Sequence, residues 1–289
     1  MGTPKAPRGF ESHPLRQKFI DHSMITLLTY LLTGIISSFL SGLLGIGGGL
    51  IIVPALSFIF AYFHIMPPDY LMHMVIGTSM AGAVINLAFS LHSQHKQNNI
   101  EWLIFKRFSV GIIIGSLLVG PIILFYLSNA YLKIIFGCAC LGFGMQMFFQ
   151  KKTANIGEDL PGPLGLSLWG FITGIISVLV GVAGGTMIGT ILNHYHMDMR
   201  KVIGTTTAVA LLLTLTGTAG LLVLGYYHPT PLAWSTGFVY WPAVLGIAIP
   251  SPILAPLGVK VGHLLPTHIL RKSFACILLI VAIKMIIQT

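Results

Sequence analysis

Acidic side chains are nearly missing from this sequence. Seven Asp and Glu stand among 289 residues, and charged residues of both signs make up only 8%. No Asp or Glu lies well inside an apolar run, which argues against a carboxylate proton relay of the kind that pumps carry within the bilayer. The chain also lacks paired carboxylates, a metal-ligand cluster and any nucleophile–base arrangement at motif spacing. It therefore reads as neither an enzyme nor a metalloprotein, with no cofactor expected. Cysteine is scarce too. Cys138, Cys140 and Cys276 all fall in apolar segments and read as small core residues rather than a disulfide framework. Cys138 and Cys140 stand about 200° apart around a helix and cannot share a metal.

What fills the sequence instead is hydrophobic. Apolar residues make up 55% of the chain and the mean hydropathy is +0.87. That excludes a soluble protein with one core and points to an all-α polytopic membrane protein whose first partner is the lipid bilayer. The net charge of +9 fits basic cytoplasmic loops and gives no reason to expect nucleic acid. Residues 1–23 are polar, carry Lys5, Arg8, Arg16 and Lys18, and read as a disordered tail. The apolar run after them is too long for a signal-peptide core and is expected to remain in the protein.

Ten apolar segments follow: 24–44, 50–63, 70–92, 103–127, 130–149, 164–182, 186–192, 202–227, 237–258 and 269–287. The second has 14 residues and the seventh has 7, short of the about 20 that cross a bilayer. Both short segments follow a glycine cluster: Gly45, Gly47, Gly48 and Gly49 in one case, Gly181, Gly184 and Gly185 in the other. An interior glycine costs a helix about 1 kcal/mol against alanine. Broken backbone survives in a membrane only when buried in protein or lining a cavity. The shortness of segment 186–192 favours re-entrant hairpins that turn inside the bilayer.

The chain repeats itself. At an offset of 136, Ser41, Leu43, Gly45, Gly48 and Gly49 match Ser177, Leu179, Gly181, Gly184 and Gly185. Val75-Ile76-Gly77-Thr78-Ser79 matches Val202-Ile203-Gly204-Thr205-Thr206, and Leu132, Lys133, Phe136 and Cys138 match Leu270, Arg271, Phe274 and Cys276. This divides the chain into a first five-segment repeat (24–149), a cytoplasmic linker (150–163) and a second repeat (164–289). Alternate sides of the membrane carry ten loop cations against one, and equivalent loops of the two repeats carry opposite loads. The positive-inside rule then sets the repeats in opposite orientations, the inverted arrangement that many transporters use. The four cations of the basic tail fall on the sparse side and oppose that assignment.

The run Ser41-Gly42-Leu43-Leu44-Gly45-Ile46-Gly47-Gly48-Gly49 with Val53-Pro54, the triplet Gly77-Thr78-Ser79, and their weaker copies at 181–185 and 204–206 resemble the sulfite exporter TauE/SafE family. The resemblance covers nearly all of residues 24–288. It implies a permease moving small sulfur-containing anions, sulfite or organosulfonates, across a bacterial inner membrane. Ala183 replaces a family glycine, and Thr190 stands where Pro54 would align.

An oxyanion needs hydrogen-bond donors and a positive field. The backbone N–H groups of Gly47, Gly48 and Gly49, and of Gly184, Gly185 and Thr186, open the two short helices, and each helix start acts like roughly half a positive charge. Gly45 and Gly181 belong to the same clusters. Glycines equally serve close helix packing. Thr78 and Ser79, with Thr205, Thr206 and Thr207, add hydroxyls that either face a substrate or bond back to their own helix. Asn86 lies two turns past Thr78 on the same face and could donate or tie helices together. For proton coupling the titratable candidates are His73, His92, His194 and His196; Lys284 is expected to snorkel. An anion channel, or a permease for another small carboxylate or oxyanion, stays open beside the carrier, as does a membrane scaffold. The oligomeric state is not legible.

Overall fold

A computed structural model describes residues 13–45, 47–149, 161–195, 197–227, 232–262, 275–276, 278–283 and 285. The first helix, α1 (His13–Leu44), begins within the stretch expected to be an unstructured tail; residues 1–12 lie outside the described residues. The first glycine cluster ends α1, and α2 (Gly49–Tyr62) restarts behind it. A 3₁₀ turn, Pro68–Tyr70, leads into α3 (Leu71–Lys96). Then α4 (Trp102–Ile113) continues through a π-helical stretch, Ile114–Val119, into α5 (Gly120–Tyr126). The first half closes with α6 (Asn129–Phe149).

The second half follows the same order. It runs from α7 (Pro163–Val180) through the second glycine cluster to α8 (Gly185–His194) and α9 (Met199–Tyr227). A four-residue antiparallel pair, β1 (Ser235–Thr236) and β2 (Val239–Tyr240), precedes α10 (Trp241–Ala248) and α11 (Ser251–Gly262). The described parts of the tenth segment, 275–276 and 278–283, are helical.

Five described helices are long and apolar enough to cross a membrane: Met24–Leu44, Pro68–Lys96, Trp102–Tyr126, Pro163–Val180 and Met199–Tyr227. The bent pair α10–α11 makes a sixth if it forms one span. The chain is a multi-pass α-helical membrane protein. At 1.5 Å per residue α2 reaches about 21 Å and α8 about 15 Å, against about 30 Å of hydrocarbon. Neither short helix crosses alone.

Two segments that read as single helices are interrupted. The ninth is split, because α10 and α11 meet at 50°. Pro250 has no N–H to extend the ladder that ends at Ile249 N–H to Leu245 carbonyl, and its own carbonyl starts α11 by accepting from Ile253 and Leu254. The fourth carries the π-helical stretch just ahead of Pro121. There Ser116 Oγ donates to the Ile112 carbonyl at 2.7 Å and shares a hydrogen bond with Thr216 of α9 at 2.5 Å. Cys140 is buried as expected, whereas Cys138 and Cys276 are exposed on the outer surface.

The most extensive helix pairs join the two halves: α1 with α11, α4 with α7, and α3 with α9. The last pair forms the centre, and the α3 span is the most buried of the five at 72%. Small residues set the approach, as they do between helices in lipid. A Cβ on Gly34 of α1 would lie 2.6 Å from the Ile247 carbonyl oxygen, and one on Gly170 of α7 would lie 2.6 Å from that of Phe108. The tightest contact is Gly111 of α4, whose added Cβ would fall 1.7 Å from the Ser167 carbonyl oxygen of α7. Gly111→Val therefore lowers stability by about 1–3 kcal/mol in thermal unfolding of the purified protein. Gly142→Ala, at a site with nothing within 4 Å, leaves stability unchanged or raises it.

Candidate functional site

The described residues of both glycine breaks are buried, and the breaks touch each other. A Cβ on Gly47 would meet the Ala183 Cβ at 2.4 Å, and one on Gly49 would meet the Gly181 carbonyl oxygen at 2.6 Å. The breaks share a backbone plan. Gly45 and Gly181 have φ of 69° and 71°, and the helix caps Gly48 and Gly184 have φ of 74° and 67°. An L-residue in this left-handed region costs roughly 1–2 kcal/mol. Gly47 also has positive φ, at 77°, whereas Ala183 does not. Alanine thus departs from the glycine pattern at the one of these three matched positions where the two copies differ in backbone.

The surroundings exchange as well. Gly45 rests against Ile203 of α9, and Gly181 rests against Ile76 of α3, the residues matched by the repeat. The short helices use their cap carbonyls at once, with Ile51 and Ile52 N–H returning to Gly48 and Ile188 N–H to Gly184. First-turn N–H groups, those of Gly49 and Leu50 and of Gly185 and Thr186, have no acceptor within their own helix.

The duplicated Gly-Thr triplets hold the fold together across the halves. Thr78 Oγ1 accepts the N–H of Tyr240 at 3.0 Å, and Thr205 Oγ1 accepts the N–H of Glu101 at 3.0 Å. Tyr240 caps α10 and Glu101 caps α4, so each third helix fastens the start of the other half's fourth. Beside them, a Cβ on Gly77 would lie 2.2 Å from the Phe238 carbonyl oxygen, and one on Gly204 would lie 2.2 Å from that of Asn99. An ion pair between Lys201 and Glu101 adds to the second of these contacts. The third hydroxyls differ. Ser79 Oγ donates to the Gly181 carbonyl at 3.1 Å, tying α3 to the second break. Thr206 and Thr207 bond back to carbonyls of their own helix at 2.7 Å.

Asn86 is fully buried in a polar cluster next to the first break. Its Oδ1 accepts from Ser38 at 3.0 Å and from Ser251 of α11, and its Nδ2 donates to Ser37 Oγ at 3.3 Å. Around the breaks three buried hydroxyls have no partner: Ser41 of α1, Thr173 of α7 and Thr186 of α8.

A family model, sulfite exporter TauE/SafE, matches residues 30–285. The chain belongs to the sulfite exporter TauE/SafE family. A probable membrane transporter protein of Haemophilus influenzae is 32% identical over 91% of this chain and 98% of its own length. A probable membrane transporter protein of Methanocaldococcus jannaschii is 29% identical over 91% and 97%. Another in Bacillus subtilis is 24% identical over 86% and 94%. No solved structure matches the chain.

This TauE/SafE chain is thus a membrane transporter by family, and its described residues bring the two expected backbone breaks into contact. Of the histidines, His73 is buried with Nε2 3.2 Å from the Leu124 carbonyl oxygen, and His92 is exposed. The side chain of His194 and all of His196 and Lys284 lie outside the described residues. An open groove of about 570 Å³ lies between α2, α6 and the tenth segment, lined by Ser57, Phe58, Tyr62, Lys133 and Met285. It contains none of the residues expected from sequence to bind substrate. Ser37, Ser38, Ser251 and Thr173 escaped the sequence reading. The offset of 136 pairs Ser37 with Thr173 and was the signal available for two of them. Asn86→Leu removes the acceptor that Ser38 and Ser251 share and the donor to Ser37, leaving Ser38 and Ser251 bonded to each other at 3.0 Å, and thermal unfolding should register a loss of about 1–3 kcal/mol.

Proposed function

We propose that this TauE/SafE protein is a carrier for small sulfur-containing anions, sulfite or organosulfonates, working by alternating access in a bacterial inner membrane. The observation that carries the reading is the contact between the two buried breaks, Gly47 on Ala183 and Gly49 on Gly181, each followed by a helix whose first-turn N–H groups have no intrahelical acceptor. A positive helix end aimed at buried space suits an anion, and hydroxyl and amide donors without a fixed cation allow it to be released.

Inverted repeats fit the same facts. The matched contacts of Gly45 with Ile203 and Gly181 with Ile76, and of Thr78 with Tyr240 and Thr205 with Glu101, exchange one half for the other. Opposite loop charges in the two halves support opposite orientations. Two such units rocking about a shared midpoint give alternating access. The tight apposition of Gly47 on Ala183 favours a carrier that must rearrange to pass its substrate over a channel with a standing pore. His73 is a buried titratable side chain available if protons drive the cycle.

Purified protein in liposomes should show saturable sulfite or organosulfonate flux with counterflow. Gly48→Leu and Gly185→Leu should abolish it at equal membrane insertion. Linear, non-saturating flux would favour the channel, and full activity in both variants would remove the breaks from the transport path.

A further inference from the structure

We infer that the open groove beside α2 is a binding site for one anionic phospholipid, an acyl chain lying in the groove and the headgroup phosphate resting on Lys133. The groove stands apart from the contact between the breaks and encloses about 570 Å³. On α2 its lining residues are Pro54, Ser57, Phe58, Ala61 and Tyr62, the i, i+3, i+4, i+7, i+8 stripe of one helix face. Another face of α2, carrying Val53, Leu56 and Phe60, is fully buried in the core. The helix therefore packs inward on one side and leaves the groove stripe unfilled. Phe58 and Tyr62 on that stripe are exposed and stack with ring centroids 5.9 Å apart. Leu71 of α3, with Val281 and Met285 one turn apart in the tenth segment, completes the apolar walls.

The groove opens at the level of the lipid headgroups. The α3 span and the α4–α5 span are each long enough to cross. The end of α2, the start of α3, the end of α5 and the start of α6 therefore share one end of the bundle. The Met72 N–H of α3 donates to Asn129 Oδ1 of α6 at 2.8 Å, which sets those two starts side by side. Tyr62, Tyr70, Tyr126 and Tyr131 all lie at this end and are all exposed, the pattern of an interfacial aromatic belt. Lys133 follows Tyr131 by two residues. Its stem lines the groove, and its ammonium reaches the headgroup plane by snorkelling. From Tyr62 back to Pro54 α2 descends about 12 Å, close to the roughly 15 Å of hydrocarbon in one leaflet. The groove thus has the depth of an acyl chain.

Charge selects the headgroup. Among the described lining residues Lys133 alone is charged. The other cations of the two neighbouring spans, Lys96 at the end of α3 and Lys106 and Arg107 near the start of α4, lie at the opposite end. One lysine at the membrane surface favours an anionic headgroup about fivefold. Phosphatidylcholine brings its own ammonium, and the described lining offers no carboxylate to receive it. A small hydrophilic anion would leave the apolar walls uncovered. A phospholipid with a net negative charge matches the site at both ends. Because α2 restarts at the first break, a lipid seated here braces that short helix against α6 and the tenth segment.

The test is native mass spectrometry of the purified full-length protein with phosphatidylglycerol and phosphatidylcholine of equal chain length, the fold of each variant being checked by thermal unfolding. The wild-type protein should retain one phosphatidylglycerol with about a fivefold preference, and that lipid should raise its unfolding temperature. Lys133→Gln should abolish the preference, whereas Lys106→Gln, at the other end of the bundle, should keep it. Ala61→Trp, which fills the groove from an exposed position on α2, should remove the bound lipid and the thermal shift. Lys133→Gln, at a half-buried position on the helix surface, carries the test alone if Ala61→Trp fails to fold. Equal retention of the two lipids by the wild-type protein, an unchanged preference in Lys133→Gln, or undiminished lipid in a folded Ala61→Trp overturns the inference. So does a wild-type dimer that Ala61→Trp converts to monomer, because a second copy of the chain then covers the groove.

Discussion

A chain that interrupts its helices inside lipid must bury the interruption in protein, because the hydrocarbon offers nothing to the freed backbone groups. Here each break is covered by the other. Gly47 presses on Ala183 and Gly49 on the Gly181 carbonyl, so neither reaches the bilayer. The remaining architecture follows from that. The helices restarting at the breaks are too short to cross alone, α3 and α9 must lie at the centre to wall the contact, and the outer helices pack around them through glycine.

Much of this was legible in the sequence. Four glycines within five residues, an echo at offset 136, and two shortened apolar runs announced the breaks and the brevity of α2 and α8. Hydropathy was blind to interruptions within apolar sequence. The bend at Pro250 and the π-helical stretch before Pro121 leave the residues on both sides equally greasy. The partners of Thr78 and Thr205 were out of reach for another reason. Tyr240 and Glu101 lie more than a hundred positions away along the chain, in short extended caps with no periodicity of their own. The triplets read as candidate substrate contacts, and their recurrence also serves docking, since Thr78 and Thr205 each receive the N–H at the start of the other half's fourth helix.

Repetition and inequality have different sources in this molecule. The backbone of the breaks, the Gly-Thr docking and the glycine contacts at Gly34 and Gly170 are held in common, since packing geometry constrains all of them. The side chains over the helix starts are free of that constraint and have diverged. Asn86 completes a closed set of hydrogen bonds on one side, while Leu213, its match in the second repeat, can make none on the other. A duplicated fold can thus keep its symmetry in the main chain and dispense with it in the side chains.

The cross-fastening of the halves bears on how such a protein arises and assembles. Because α1 lies along α11 and α7 along α4, a single five-helix unit made on its own would expose the face that its counterpart covers. Its fourth helix would also have no threonine to receive the N–H at its start. The ribosome must therefore deliver the second unit before the first can finish packing. An ancestor of half this length would have needed a second copy to cover that face.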